Sequence, residues 1–301
     1  MIVHPAPSDE GRHPATSHQL WNESWYFDFH DAEGTFGGYV RLGLYPNLGV
    51  SWFWACVVGR DRPLVFVCDH EAPLPRGGEL ELRASGLWTD VSCLEALERY
   101  SVQLEAFGVG VDDPAEMYGR MRGDRVPLGF DLEWETDGGV FGYPDGITRY
   151  EVPCVVHGEI LVGHERIEFD GFGQRDHSWG VRDWWSFPWC WFSARLASGE
   201  RLHCVDLGAG ARVGYRLRAG VFTPAHECSS SGQVGREGLV DTAKVVVGGL
   251  ECDLTTVASA PVLLRAPDGR ESRLARGLVQ VDTREDGHGA GWVEWNQPQL
   301  S

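Results

Sequence analysis

The sequence has little basic character and no long hydrophobic run. Its 301 residues include 26 Lys and Arg against 44 Asp and Glu, a formal net charge of −18. A surface of that sign repels phosphate backbones and anionic lipid headgroups, so we expect no nucleic-acid partner. The longest apolar run, Trp52 to Val58, is far shorter than the ~20 residues of a membrane-spanning helix. We therefore expect no membrane span.

The sequence also lacks a secretory signal, a Cys-x-x-Cys metal-binding pair and the motifs of several enzyme classes. The first 17 residues are polar and rich in proline, which is unlike a secretory signal and predicts a cytoplasmic location. The eight cysteines are scattered without a Cys-x-x-Cys pair, so we interpret them as reduced, mostly buried thiols. No Gly-x-Ser-x-Gly, His-Glu-x-x-His or Gly-x-x-x-x-Gly-Lys motif is present. We expect neither a metal nor a cofactor.

What the sequence does contain is a repeated alternation of apolar and polar residues. Leu128, Phe130, Leu132 and Trp134, for example, alternate with small or charged residues, which predicts a half-buried strand. Similar runs predict strands near 21–29, 37–45, 50–58, 63–68, 79–83, 99–107, 150–157, 189–196, 201–207, 211–218, 242–247, 250–257, 273–282 and 290–296. One short helix is predicted at 113–122, where Asp113 can cap the first turn.

So many strands with so little helix predict an all-β protein with closed or sandwiched antiparallel sheets, and exclude an alternating βαβ nucleotide fold. A Trp-rich strand, a charged turn and an apolar strand at 51–68 recur at 189–207, which indicates two like halves. We predict a flexible tail at 1–16, an N-terminal domain at 17–165 and a C-terminal domain at 166–301. Each domain is about the size of a barrel that encloses one small ligand.

The densest group of reactive and aromatic side chains lies at 171–185, and five of the 13 tryptophans fall between Trp179 and Trp191. If the segment is extended, Asp176 faces one side while Arg175 and His177 face the other. Either set could line a pocket. An equally open interpretation is a structural cluster of hydrogen bonds that fixes an inter-domain strand.

A second group precedes it, at Asn22, Glu23 and Trp25. Glu23 interrupts an aromatic face of the predicted first strand. Such a carboxylate lies either at a frayed strand end or is buried with a partner, because an unpaired buried charge is costly. If Glu23 is buried, its candidate partners are Arg175, His177 or Arg182. A similar pattern near the chain end, with Trp292 and Glu294, is interpreted as a rim strand.

The string Gly173-Gln-Arg-Asp-His-Ser-Trp-Gly180 resembles the Asp-His-x-Trp/Phe-Gly signature of a two-domain lipocalin-like superfamily. That group includes carotenoid 1,2-hydratase, AttH-like proteins, kievitone hydratase and fungal Diels–Alderases. Together with the motifs at 22–25 and 291–298, the chain resembles a further bacterial family within the group. The resemblance spans nearly the whole chain, and it implies two lipocalin-like antiparallel β-barrels or sandwiches packed together.

The resemblance also implies a chemistry. The signature aspartate of the carotenoid hydratases protonates an alkene, a role that carries over to Asp176, whereas the tyrosine two residues earlier is Gln174 here. We therefore hypothesise acid-initiated hydration, isomerisation or cyclisation of an alkene in an apolar, isoprenoid-like or polycyclic molecule. His177 or Glu23 would orient water or collect the proton. The expected substrate-binding residues are Asn22, Trp25, Arg175, Trp179, Arg182, Trp184, Trp185 and Trp191.

Two alternatives remain open from the sequence. In the first, the protein is a non-catalytic carrier of a hydrophobic small molecule, and Asp176 and His177 are structural. In the second, it is a carbohydrate-binding β-sandwich with exposed, coplanar tryptophans. The expected partner in the leading hypothesis is a hydrophobic small molecule, bound by a monomer or a homodimer. For Asp176 to act as the acid near neutral pH in that hypothesis, desolvation has to raise its pKa from ~3.9 to about 7.

Overall fold

A computed structural model describes residues 4–144, 146–208, 210–235, 237–284 and 287–299. These residues form antiparallel β-structure throughout, with two short 3-10 helices at Pro7–Glu10 and Pro114–Tyr118. The all-β prediction is confirmed. The predicted helix is a single turn, capped by an Asp113 side chain that accepts a hydrogen bond from the Ala115 amide. Residues 1–3 and 300–301 of the predicted tail and C-terminal domain lie outside the described residues.

The first sheet is closed into a barrel. Its strands are β1 (Trp21–His30), β2 (Phe36–Tyr45), β3 (Val50–Gly59), β4 (Arg62–Pro73), β5 (Leu82–Ala84), β6 (Leu87–Glu95), β7 (Arg99–Val111), β8 (Arg125–Thr136), β9 (Phe141–Gly142), β10 (Arg149–Val162) and β11 (Glu165–Val181). They follow the order β4-β3-β2-β1-β11-β10-β8-β7-β6-β5, and β9 pairs with β10. An additional pairing of β4 with β7 closes the ring. This barrel is the architecture expected of a lipocalin-like domain.

The second sheet is curled but open among the described residues. Its strands are β12 (Trp189–Leu196), β13 (Arg201–Asp206), β14 (Arg212–Arg218), β15 (Val221–Pro224), β16 (Cys228–Val234), β17 (Val240–Val247), β18 (Leu250–Ser259), β19 (Val262–Arg265), β20 (Glu271–Thr283) and β21 (Gly287–Pro298). Their order is β15-β14-β13-β12-β21-β20-β18-β17-β16, and β19 pairs with β20. The Asp206 carboxylate at the end of β13 accepts hydrogen bonds from the Ser230 amide and hydroxyl of β16, both at 2.9 Å.

The two sheets divide at residues 182–188, not at 165. Strand β11, which the sequence analysis assigned to the second domain, forms a hairpin with β10 and pairs with β1 in the first barrel. The similar segments at 51–68 and 189–207 do not occupy equivalent positions in the two sheets. They correspond to β3–β4 in the first sheet and to β12–β13 in the second. The true correspondence is that the first strand of each sheet pairs with its last, β1 with β11 and β12 with β21.

The N-terminal segment, predicted to be a flexible tail, is anchored to the first barrel through Glu10, although most residues between 4 and 19 are exposed. Glu10 is only 6% exposed. Its carboxylate accepts a hydrogen bond from Arg175 Nη2 at 3.0 Å and from the Tyr100 hydroxyl at 2.9 Å. The prediction of a free tail was wrong because the sequence pattern gave no sign of the buried arginine that Glu10 neutralises.

Both faces of β1 are buried, and this arrangement defines the two main cores. Trp25, Phe27 and Phe29 point into the first barrel. Tyr26 points the other way, into a second core that is shared between the two sheets and includes Trp292. None of the 13 tryptophans, all of which are described, is exposed, which disfavours an aromatic platform for carbohydrate. Within the described part of the chain, no helix has the length and apolar character needed to cross a membrane.

Candidate functional site

A cavity of about 470 Å³ lies between the two sheets. It is bounded by β1, β2, β3, β10 and β11 of the barrel, by the linker at 182–188, and by β12 to β14 and β20 to β21 of the second sheet. Its aromatic residues are Tyr26, Trp54, Tyr143, Trp184, Phe187, Trp189 and Trp191. The volume and the largely apolar lining suit one small organic molecule.

The pleat of β11 decides which half of the signature segment faces this cavity. Asp176 lies opposite Tyr26 of β1 and Glu151 of β10, on the cavity side of the sheet. Ser178 shares that face, whereas the odd-numbered residues Arg175 and His177 point into the first barrel. The two predicted catalytic residues that adjoin in sequence, 176 and 177, are therefore on opposite sides of one sheet.

Asp176 is a buried carboxyl group with one strong partner. It is 7% exposed, and its Oδ2 lies 2.9 Å from Arg149 Nη2. The same arginine donates through Nε to Glu151 Oε1 at 2.7 Å. Burial raises the pKa of Asp176 to about 6, although the Arg149 charge opposes the rise. The side chain can therefore carry a proton in mildly acidic solution, which an aspartate in water cannot do.

A second buried ion pair lines the opposite part of the cavity. Arg276 Nη1 and Glu294 Oε2 are 2.6 Å apart, and the guanidinium lies over the rings of Tyr26 and Tyr39. Burial raises the pKa of Glu294, with Arg276 acting against it. The interpretation of Trp292 and Glu294 as a rim strand was wrong. Their common face of β21 is covered by the first barrel, which a local pattern cannot reveal.

The other predicted binding residues divide between the two sides of the sheet. Arg182, Trp184 and Trp191 line the cavity, whereas Trp185 is buried beside it. Asn22, Glu23, Trp25, Arg175, His177 and Trp179 are not among the cavity-lining residues. Arg41 of β2 lines the cavity and was missed, although an arginine inside the apolar run Tyr39–Leu44 was a usable signal.

Glu23 is buried, as one of the two interpretations expected, and its partner is His177. Its Oε1 lies 3.0 Å from His177 Nε2 and 2.7 Å from Nδ1 of His13. The Trp25 indole stacks on His177 with ring centroids 4.3 Å apart, and Trp179 stacks on His13 at 3.7 Å. The side chains of His13, Glu23 and His177 are close enough together to hold a metal ion. The hydrogen bonds from the two histidines to Glu23 already account for their arrangement.

A polar network next to Asp176 holds Glu151, the second carboxylate to which Arg149 donates. Gln174 donates to Glu151 Oε2 at 2.7 Å and accepts from the Tyr215 hydroxyl at 2.8 Å. Trp191 Nε1 donates to Glu151 Oε1 at 3.1 Å. Of the two carboxylates that Arg149 contacts, Glu151 is thus occupied by further donors, and Asp176 is the one that lines the cavity.

Comparison with known families matches residues 6–299 to a family described as Domain of unknown function (DUF7064). The chain belongs to the DUF7064 family. A search among curated proteins finds no match. The match spans both sheets and the linker between them.

Solved structures share the fold at low sequence identity. An AttH-like protein from Nitrosomonas europaea has a TM-score of 0.64 at 16% identity, covering 97% of this chain and 96% of that one. Kievitone hydratase from Nectria haematococca has a TM-score of 0.63 at 12% identity, covering 98% and 93%. CghA has a TM-score of 0.56 at 11% identity, covering 94% and 89%. These likenesses confirm the two-domain fold that the signature segment predicted.

Proposed function

We propose that this DUF7064 protein catalyses an acid-initiated reaction on an alkene of an apolar small molecule held between its two sheets. The observation that carries the proposal is Asp176, a buried carboxyl group in an aromatic cavity whose pKa is raised to about 6. General acids work best when their pKa lies near the working pH. Asp176 meets that condition because of burial.

In the proposed mechanism the Asp176 hydroxyl transfers its proton to one alkene carbon, and the neighbouring carbon becomes a carbocation. The resulting carboxylate is stabilised by Arg149, which is already in place. The indole faces of Trp184 and Trp191 can shield the cation, each contributing about 1–2 kcal/mol when desolvated. Water adds to the cation with loss of a proton in a hydration, or the cation loses a proton in an isomerisation. In both cases the Asp176 carboxylate takes the proton back.

Glu23 and His177 enter this proposal differently from the expectation drawn from the sequence. Because they lie behind β1 and β11, they do not reach a molecule in the cavity directly, and their predicted role as proton acceptors stays a prediction. Asp176 can serve as both acid and base without them. The structural neighbours support the reaction class, since kievitone hydratase is by name a hydratase with the same two-domain fold.

The test is to incubate the purified protein with a terpenoid and lipid extract and to follow products by mass spectrometry. A gain or loss of one water would indicate hydration or dehydration, and an unchanged mass with altered retention would indicate isomerisation or cyclisation. Asp176→Asn should keep the bound compound and lose conversion. Asp183→Asn, which alters a carboxylate at the cavity mouth that is paired with Arg270, is the matched control. Conversion by Asp176→Asn at the wild-type rate would refute the proposal.

A non-catalytic carrier is the second candidate, favoured by one observation. The ion pair with Arg149 satisfies Asp176 without a substrate, as a purely structural role would require. A carrier would retain its ligand unchanged, and Asp176→Asn would alter stability but not the identity of the retained compound.

A further inference from the structure

Arg41 is a buried cation without a counter-ion of its own. It projects from the middle of β2 into the cavity and is 4% exposed. Neither Nη1 nor Nη2 has an acceptor at ordinary hydrogen-bond distance among the described residues. The Tyr45 phenol lies near the guanidinium: burial raises the pKa of this phenol, and the charge and hydrogen-bonding contact of Arg41 act against the rise. Because the phenol is neutral, it does not compensate the charge of Arg41.

The guanidinium is held in place by packing. Its Cζ lies 4.7 Å from the ring centre of Trp54 and 4.8 Å from that of Trp184. It also lies against the backbone of Gly43, where a Cβ would come within 2.4 Å of Nη1. A cation positioned by two indoles and a glycine keeps its planar donor edge fixed and available, which is the arrangement of a preorganised binding group.

The carboxylates that also line the cavity are already paired. Asp176 lies 2.9 Å from Arg149, and Glu294 lies 2.6 Å from Arg276. The third lining carboxylate, Asp183, lies 3.0 Å from Arg270, which is outside the lining. A further cavity arginine, Arg182, donates to the carbonyl oxygens of Thr148 and Trp179. The described lining therefore contains four arginines and three carboxylates, in a protein whose net charge is −18. Leaving a buried guanidinium unpaired destabilises a fold, so a ligand is the natural source of the missing anion.

We propose that Arg41 binds a carboxylate group carried by the apolar molecule that occupies the cavity. This inference rests on the proposed function and deepens it, because it names the substrate class as an apolar acid. A planar carboxylate matches the guanidinium fork with two parallel hydrogen bonds. Binding at Arg41 would also orient the apolar body, so that one part of it lies at Asp176.

Isothermal titration calorimetry with two probes that share an uncharged aromatic ring system tests whether Arg41 binds a carboxylate. The probes are 9-anthracenecarboxylate and 9-anthracenecarboxamide, which share one aromatic body and differ in charge. We expect the wild-type chain to bind the carboxylate about 10- to 100-fold more tightly, as charge-assisted hydrogen bonds allow. Arg41→Met, which keeps an unbranched apolar stem, should lose that preference and bind the amide as before. Arg62→Met, which removes a surface arginine paired with Glu165, should keep it.

Three results would overturn the inference: equal affinities in the wild-type chain, a preference that survives in Arg41→Met, or no carboxylate binding at millimolar concentration. If Arg41→Met fails to fold, Arg41→Lys provides the measurement, since it keeps the charge but loses the fork and should reduce the preference. Asp176→Asn separates this inference from the proposed function. That variant should retain the carboxylate preference, so loss of turnover and loss of the preference can be scored independently.

Discussion

The buried ion pair between Glu10 and Arg175 gives the sharpest test of the fold, because the sequence alone suggested a dispensable N-terminal tail. The Glu10 carboxylate lies 3.0 Å from Arg175 Nη2, and it accepts further hydrogen bonds from the Tyr100 and Tyr150 hydroxyls and the Leu97 amide. Burial raises the pKa of Glu10. Arg175 and the two tyrosine hydroxyls together lower it by more than burial raises it, so the pKa of Glu10 is below its usual value. The carboxylate is therefore ionised in the folded protein.

Glu10→Gln keeps the shape and one acceptor oxygen but removes the charge. Arg175 is then left buried without a counter-ion, at 1% exposure, and breaking such a pair costs about 3–5 kcal/mol. The loss should also depend on pH. Because the folded-state pKa of Glu10 is lowered, its stabilisation is present above its unfolded value and disappears as the pH falls through the folded value. The difference between wild type and variant should accordingly be larger at pH 7 than at pH 3.

The measurement is urea-induced unfolding followed by tryptophan fluorescence. Asp9→Asn is the matched control, since it removes a neighbouring, partly exposed carboxylate that lies 3.7 Å from His13 and should change stability by less than about 1 kcal/mol. Adding Arg175→Met to Glu10→Gln should recover much of the loss, because the uncompensated charge is gone. A Glu10→Gln variant within about 1 kcal/mol of wild type at pH 7 would refute the reasoning.

Three further outcomes follow from the site and the strands around it. Turnover by Asp176 should be highest below pH 6 and fall about tenfold per unit above it, because burial raises that pKa to about 6; a flat rate profile from pH 5 to 8 would contradict this. Burial raises the pKa of Asp28 to about 7, so the contribution of Asp28 to wild-type stability should fall by up to about 4 kcal/mol as pH rises from 4 to 7. Asp28→Asn, which keeps the acceptor for the Gln174 amide at 2.9 Å, should remove that contribution to the pH slope in urea titrations, and equal slopes in the two proteins would count against it. Gly173→Ala places a Cβ 2.0 Å from the Asp28 carbonyl oxygen and should lower stability by more than about 2 kcal/mol, whereas Gly78→Ala, in open space, should not.

The alternation of residues was enough to predict most strands of both sheets, but it missed several, including β6, β16 and β11, the strand that carries the site. The pattern at Leu128–Trp134 correctly predicts β8, since one face is apolar. Strand β11 was not predicted as a strand, because Gly171, Gly173 and Gly180 interrupt it and are typical of loops. In the structure Gly173 is required for a different reason. It lets β11 approach the backbone of β1 more closely than a side chain would allow.

The period of two also showed that Asp176 and His177 face opposite sides, but it could not say which side holds the cavity. That depends on the second sheet, which packs against β1 and β2 from positions far away in sequence. For the same reason the place of Arg41 in the site was missed and Glu294 was misinterpreted as part of a rim strand. Their burial is created by the contact between sheets, and the local pattern of each strand contains only one half of that contact.

The pairing of first strand with last has a consequence for how the protein is made. Strand β1 ends at His30, and its partner β11 begins only at Glu165. At the usual rate of synthesis, β1 waits on the order of ten seconds for that partner. Strand β12 likewise ends at Leu196, and its partner β21 begins only at Gly287. Neither half can complete its sheet until its final strand has left the ribosome, so the edges of β1 and β12 wait unpaired on that side during synthesis. Pairings between strands so far apart in sequence are expected to make folding slow.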